Sequence, residues 1–351
     1  MDRDDHAGSV HELGGAQVNA WFKLDPKDRR LACEKAAAEL GISAVSVEKD
    51  FWVCWTLREL LALPGWGPQL TFKGGTSLSK GWKLIDRFSE DIDLVIERDY
   101  LGFGGATLSR SRVGKLKDVC SAKIDGEIRP ALQQRIDTAL PRGERGTLSF
   151  AGRETDPDQL TLLFAYPTAL SVDEADYIKR EVKMEFGARS ETEPAERPTI
   201  RPLLAEQISG VFFAPEFEVR TVAARRTFWE KAMLLHEETF RPPEKALKTR
   251  LSRHYYDLSC LIQKGIAAEA VKDAGLFERI ATHREAFFRQ TWVDYKTLKK
   301  GTLRLLPPKE RLAEWRRDYQ AMRDDMFFSE PPKFEAILEV VEEFETDFNK
   351  S

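Results

Sequence analysis

Several common protein classes are excluded by what the sequence lacks. It has four cysteines, Cys33, Cys54, Cys120 and Cys260, far apart and without a Cys-x-x-Cys pair. That argues against a zinc ribbon and gives no disulfide framework, so a reducing, cytoplasmic setting is expected. No stretch approaches the roughly 18 apolar residues of a membrane span. The N-terminus, MDRDDHAGSVHELGG, is acidic and polar rather than basic and then apolar, so no secretory leader or membrane partner is expected. The five histidines, His6, His11, His236, His254 and His283, lack metal-ligand spacing and read as surface or core. No low-complexity tract is present, and the only internal echo is of one short glycine-containing segment.

A dominant charge is lacking too. The chain has 54 basic and 58 acidic residues, a formal net charge of −4, so a basic groove for nucleic acid would have to come from local clustering. Clusters do occur. Arg241, Lys245, Lys248, Arg250 and Arg253 oppose only Glu244, and Lys296, Lys299, Lys300 and Arg304 form a second group. Solvated helices carry similar densities, so charge alone assigns no partner.

What is present suffices for two or three domains, with 351 residues and an ample supply of apolar side chains. After a mobile N-terminus of about 20 residues, Asp25-Pro26 opens a helix and Gly41 closes it. Val53, Leu57, Leu60 and Leu61 mark a second helix that stops at Pro64-Gly65. Leu70 to Phe72 reads as a strand, Thr76 to Leu84 as a helix and Asp91 to Ile96 as a strand. A charged helix follows from about Arg112 to Ala139, then strands near Thr147 to Ala151, Leu160 to Ala165 and Tyr177 to Phe186. The segment ETEPAERPTIRP shows no periodicity and reads as a loop. From Thr221 the pattern is helical, broken at Pro242-Pro243, Pro307-Pro308 and Pro331-Pro332. The expected architecture is α+β: a mobile N-terminus and helical lead-in over 1–66, an α/β core over 67–220 and a helical lobe over 221–351.

Two stretches invite a chemical reading. In FKGGTSLSKGWKLIDRFSEDIDLVI, Gly74-Gly75 stands where a strand must turn sharply into a helix. The glycines permit positive φ and close approach of another group. Thr76 and Ser77 add hydroxyls, and free N–H groups at a helix start suit phosphate. A glycine turn alone is more often geometry than a site. The strand period of two, however, sends Asp91 and Asp93 to one face, roughly 7 Å apart, while Ile92 and Leu94 point into the core. Paired carboxylates repel unless a cation holds them, and Mg²⁺ suits oxygen ligands while leaving positions open for substrate phosphates. The second stretch, GGATLSR from Gly104 to Arg110, has no convincing preceding strand and no paired carboxylate after it, and reads as a loop with a helix start. A third metal carboxylate on a neighbouring strand is Glu185 or Glu181. Glu185 is preferred because Met184 and Phe186 would bury its strand.

Those residues carry a resemblance. Gly74, Gly75, Thr76, Leu78 and Lys80, then Arg87, Ser89, Asp91, Ile92, Asp93 and Leu94, are similar to the GGT-x-L-x-K…R-x-S-x-D-I-D-L signature of the AbiEii family of nucleotidyltransferase-like toxins. These belong to type IV toxin–antitoxin systems, with the MenT toxins as relatives. VEKDFWVCWTLREL, RTFWEKAMLLHEE and SRHYYDLSCLI resemble further family segments, so the likeness spans roughly Val45 to Ile262.

The resemblance implies a DNA-polymerase-β-like nucleotidyltransferase fold. It implies an NTP substrate cradled by Gly74, Gly75, Thr76 and Ser77, and Mg²⁺ or Mn²⁺ bound by Asp91 and Asp93. Lys231 matches a phosphate-contacting lysine, and Asp257 an aspartate with a catalytic or substrate-contacting role. An RNA acceptor, the tRNA 3′ end, a cognate antitoxin and a part in phage defence follow from the same analogy. From the residues themselves, Lys231 is expected at the border of a buried stripe with its ammonium free. Asp257 has Arg253 four positions earlier, the spacing of a helical salt bridge. Arg87 and Ser89 could steady the loop or touch phosphate. For Glu48, Lys49, Asp50, Lys73 and Lys80, interhelical pairing and phosphate roles stay open. A phosphotransferase and a non-catalytic nucleotide- or RNA-binding module are the rival readings; the glycine stretch is not a Walker A loop, because Trp82 follows Gly81.

Overall fold

Asp25 and Gly41 bracket the first helix, α1 (Pro26–Leu40), in the computed structural model, which describes residues 21–105, 108–171, 179–207, 216–327 and 330–350. The expected mobile N-terminus, His6, His11 and the expected strand start at Tyr177 lie outside these residues. The Asp25 carboxylate accepts from the Asp28 N–H at 2.8 Å, and Gly41 closes the helix at φ +68°. Ser43 caps the next helix, α2 (Ala44–Leu61), accepting from the Ser46 N–H at 3.0 Å. Helix α2 is buried along most of its length, and its Trp52 stacks on Tyr166 at 5.3 Å.

The mixed sheet has the order β3-β4-β5-β2-β1-β9-β6. Its strands are β1 (Leu70–Lys73), β2 (Asp91–Ile96), β3 (Thr147–Phe150), β4 (Thr161–Ala165), β5 (Glu181–Gly187), β6 (Ala195–Glu196) and β9 (Thr221–Val222). Strand β2 runs antiparallel to β1 and parallel to β5. Alternation gives the sheet two chemically distinct faces. Leu70, Phe72, Ile92, Leu94, Ile96, Leu162, Phe164, Val182, Met184 and Phe186 all project to one side and are buried. Each contributes about 1.5–3 kcal/mol of burial, which fixes register, since a slip of one residue would reverse the faces. The other face presents Lys73, Asp91, Asp93, Lys183 and Glu185.

Four details depart from the sequence reading. The helix expected over Thr76 to Leu84 is a turn, α3 (Gly74–Thr76), running into a π-helical stretch, Ser77–Gly81, in which the Trp82 N–H reaches the Ser77 carbonyl at 3.0 Å. The long charged helix divides into α4 (Arg110–Lys123), a π-helical Ile124–Ile128 and α5 (Arg129–Ala139). The wide turn sits just before Pro130, which has no N–H to give. The segment read as an aperiodic loop supplies β6 and half of the separate β7 (Thr199–Ile200) and β8 (Phe217–Glu218) pair. Strands of two residues are too short to show a period. Thr221 and Val222 form β9 rather than opening the helical region, because both are buried beside β1. The helical lobe starts at Ala224.

That lobe contains α7 (Ala224–Thr239), α8 (Arg253–Gln263), α9 (Ile266–Lys272), α10 (Leu276–Phe287), α11 (Leu312–Met326) and α12 (Phe334–Lys350), interrupted at the three expected proline pairs; the short α6 (Leu203–Gln207) precedes it. Its core gathers Phe228, Trp229, Tyr255, Leu258, Trp315 and Val341, and takes in Leu78 and Ile85 from the segment after the glycine turn. The Phe88 N–H also donates to the Met326 carbonyl at 2.6 Å, beside an Arg87–Phe327 bridge. The two parts of the molecule are therefore packed together at the segment that joins the turn to the carboxylate strand. No helix among the described residues is long and apolar enough to cross a membrane.

Candidate active site

Gly74 leaves β1 at φ +82°. A Cβ there would stand 1.9 Å from Asp93 Oδ2, and one at Gly75 would stand 2.8 Å from Arg87 Nη2 and 2.9 Å from Ser89 Oγ. Glycine is thus required at 74, where φ is positive and a carboxylate lies against the backbone, while at 75 a Cβ would make the ends of Arg87 and Ser89 shift. The hydroxyls serve the same junction. Thr76 Oγ1 donates to the Asp91 carbonyl at 2.5 Å and lies 2.9 Å from Ser89 Oγ, and Ser77 Oγ donates to the Gly74 carbonyl at 2.8 Å. Both hydroxyls are buried and already engaged, so a phosphate at this turn would meet backbone N–H groups first.

Asp93 lies between Lys73 and Glu185 in the strand register, and Asp91 lies opposite Lys183. Glu181 pairs with Ala165 at the far end of β5, so the register brings Glu185 to the pair and leaves Glu181 away from it. Burial pushes Asp93 up to about 7, with Glu185 and then Asp91 adding to it and Lys73 opposing. Burial raises Asp91 as well. Burial opposes the ionisation of Asp91 and Asp93, and with the Glu185 carboxylate on the same face the arrangement fits a divalent cation as counter-charge. Among the described residues no three His, Cys, Asp or Glu side chains already form a metal cage, and Glu185 is turned to Lys183 in an ion pair.

The helical lobe supplies the cations. Lys231 on α7 is not a snorkelling lysine with a free ammonium: its Nζ donates to Asp257 Oδ2 at 2.7 Å, and the residue is 7% exposed. Asp257, on α8, does not take Arg253 as its main partner. Its oxygens accept from Arg87 Nε at 2.7 Å and Nη2 at 2.8 Å. Helical spacing offered Arg253, but tertiary packing brings in Arg87, whose planar fork matches a carboxylate with two parallel bonds. Burial raises the Asp257 carboxyl, but Arg87 and Lys231 overcome that and hold it well below the usual range. His254, read from sequence as surface or core, is brought into the site, with Nδ1 3.4 Å from Lys231 Nζ. Burial, then Lys231 and Arg253, push its pKa well below the ordinary value, so it is a neutral neighbour. No spacing rule could have found it. Glu230 likewise joins Lys73 at 3.6 Å and Arg226 at 3.0 Å, linking α7 to the end of β1.

Of the residues left open by sequence, Lys73 lies beside Asp93, and Glu48, Lys49, Asp50 and Lys80 are engaged in pairing. Lys80 bonds Asp50 at 2.5 Å, and Lys49 bonds Glu90 at 2.5 Å and the Lys179 carbonyl at 2.8 Å. Glu48 accepts from Thr168 Oγ1 and the Ala169 N–H, each at 2.6 Å. Helix α2 thereby holds both the π-helical stretch and the residue before Asp91. In the second glycine segment Ser109 caps α4, as a loop with a helix start requires. In the first basic cluster Arg241 pairs with Glu238, and Lys245 lies over the Trp292 ring at 3.9 Å. A cavity of about 620 Å³ lined by Trp55, Arg58, Glu59 and Arg135 includes none of the site residues.

A family model described as "Nucleotidyl transferase AbiEii toxin, Type IV TA system" matches residues 55–340, from within α2 into the last helix and beyond the last motif legible in the sequence. Among solved structures the chain is similar to MenT4, a nucleotidyltransferase toxin from Mycobacterium tuberculosis H37Rv. Identity is 16%, the match covers 93% of this chain and 97% of that one, and the TM-score is 0.42. No curated protein matches.

Proposed function

The chain belongs to the AbiEii nucleotidyl transferase toxin family and is a nucleotidyltransferase; from that premise we propose that it transfers NMP from an NTP to an RNA acceptor, the tRNA 3′ end, and so arrests growth. The observation that carries the reading is the contact between turn and carboxylate strand, where only a glycine at position 74 leaves room for Asp93. In the reaction an acceptor hydroxyl oxygen bonds to the α-phosphorus and gives its proton to water, the bond from that phosphorus to the bridging oxygen breaks, and pyrophosphate leaves. Asp91 and Asp93, with Glu185 once released from Lys183, would hold Mg²⁺ or Mn²⁺. The ion would supply Lewis-acid neutralisation of the charge developing on the phosphoryl oxygens. The backbone of Gly74 and Gly75 would receive the triphosphate, and Lys231, with one N–H left after Asp257 and His254, would stabilise the departing pyrophosphate. The polar face of the sheet would orient the nucleotide, and the basic segment Arg241 to Arg253 would contact an acceptor backbone. A cytoplasmic setting, a cognate antitoxin and a role in phage defence complete the proposal.

Incubation with each α-labelled NTP, Mg²⁺ and total tRNA tests it, with an Asp91→Ala/Asp93→Ala variant alongside. Labelled RNA from wild type only is the expected result. Label arriving from γ- but not α-phosphate would mean phosphoryl transfer, and no label on RNA or protein would mean a binding module.

A further inference from the structure

Asp257 has no solvent exposure, and both of its oxygens accept from charged donors. A carboxylate so enclosed has no face to offer a substrate hydroxyl, and one held ionised this firmly is a poor proton acceptor near neutral pH. Its two partners, themselves buried, have further neighbours toward the turn and the lobe. Arg87 donates through Nη1 to the Phe88 carbonyl at 3.2 Å, and its Nη2 lies 2.8 Å from where a Cβ at Gly75 would stand. Lys231 stands beside His254 at 3.4 Å. Two cations share one carboxylate, which leaves a surplus positive charge beside the phosphate turn. We propose that Asp257 is a positioning residue rather than a catalytic one: it clasps Arg87 and Lys231, ties the loop behind the glycine turn to the helical lobe, and so sets the distance between turn and lysine. The proposal rests on the nucleotidyl-transfer reading of the same site.

The test is a double-variant cycle of Arg87→Gln and Asp257→Asn, reading kcat and KM for transfer from α-labelled NTP, normalised to the folded fraction, with pH profiles. If Asp257 acts through Arg87, each single variant loses about 100-fold in kcat/KM and the double variant is worse than either by no more than about threefold. The limbs of the pH profile stay where they are in Asp257→Asn. Losses that multiply in the double variant, or an acid limb that vanishes with Asp257→Asn, would overturn the proposal. Should the Asn and Gln variants fail to fold, the same cycle with Asp257→Glu and Arg87→Lys decides it by the same criteria. If wild type transfers label from none of the four NTPs, the nucleotidyl-transfer reading fails instead. The cycle is then read on the Kd of mant-labelled ATP, GTP, CTP and UTP, where non-additive losses support the clasp and additive ones reject it.

Discussion

Gly74-Gly75 and Gly104-Gly105 are near copies in sequence, and both contain a glycine at positive φ. They differ in what the rest of the molecule brings to them. Around the first pair a missing Cβ is filled by Asp93, Arg87 and Ser89. At the second, among the described residues, a Cβ on Gly105 would meet nothing within 4 Å, and one on Gly104 would meet only the exposed Asp99 carboxylate at 2.9 Å. A glycine turn becomes part of a site when another element is packed into the space that glycine leaves. The turn itself is common to both.

Breaking the element packed against the first turn should have the largest effect. Asp91→Asn/Asp93→Asn is expected to reduce transfer of α-label by about 1,000-fold or more, the scale of lost charge stabilisation at a phosphoryl centre, with a folded protein by circular dichroism. Next comes Gly74→Ala. A left-handed alanine costs about 1–2 kcal/mol, and the overlap with Asp93 adds displacement of a reacting group, for which a loss of about 100-fold is expected. Unchanged kinetics in this variant would dissolve the contrast between the two turns.

A pH series sharpens the contrast. Asp93 is raised to about 7 by burial, so the metal-free folded protein holds a proton that the unfolded chain releases from about 4 upward. Its ionisation therefore lowers stability as pH rises from about 4 through 7. In EDTA, Asp93→Asn should raise the melting temperature more at pH 8 than at pH 5; an equal rise at both would refute the burial argument. The smallest effect is expected from Gly105→Ala. Its positive φ costs about 1 kcal/mol, and transfer activity per folded molecule should match wild type.

Local chemistry was readable without the fold. Asp25, Gly41 and Ser43 act within their own turns, and β2 begins and ends where alternation places it, at Asp91 and Ile96. The preference for Glu185 over Glu181 rests on the apolar neighbours that bury its strand, and the register sets Glu185 opposite Asp93. Less was legible where an element is short or its partner distant. The strands at Ala195–Glu196 and Thr221–Val222 have no period to detect, and the π-helical stretches keep the side-chain types of an ordinary helix.

The sequence by itself determined the pairing of Asp91 with Asp93, the freedom of the Gly74 backbone and the apolar face that fixes the sheet, because each depends on neighbours within one strand or turn. Only the tertiary structure decided that Asp257 bonds Arg87 and Lys231, that His254 joins them, and that Gly74 rather than Gly105 receives a carboxylate. Charge attraction is set by distance in space, and helical spacing had favoured the wrong arginine for Asp257.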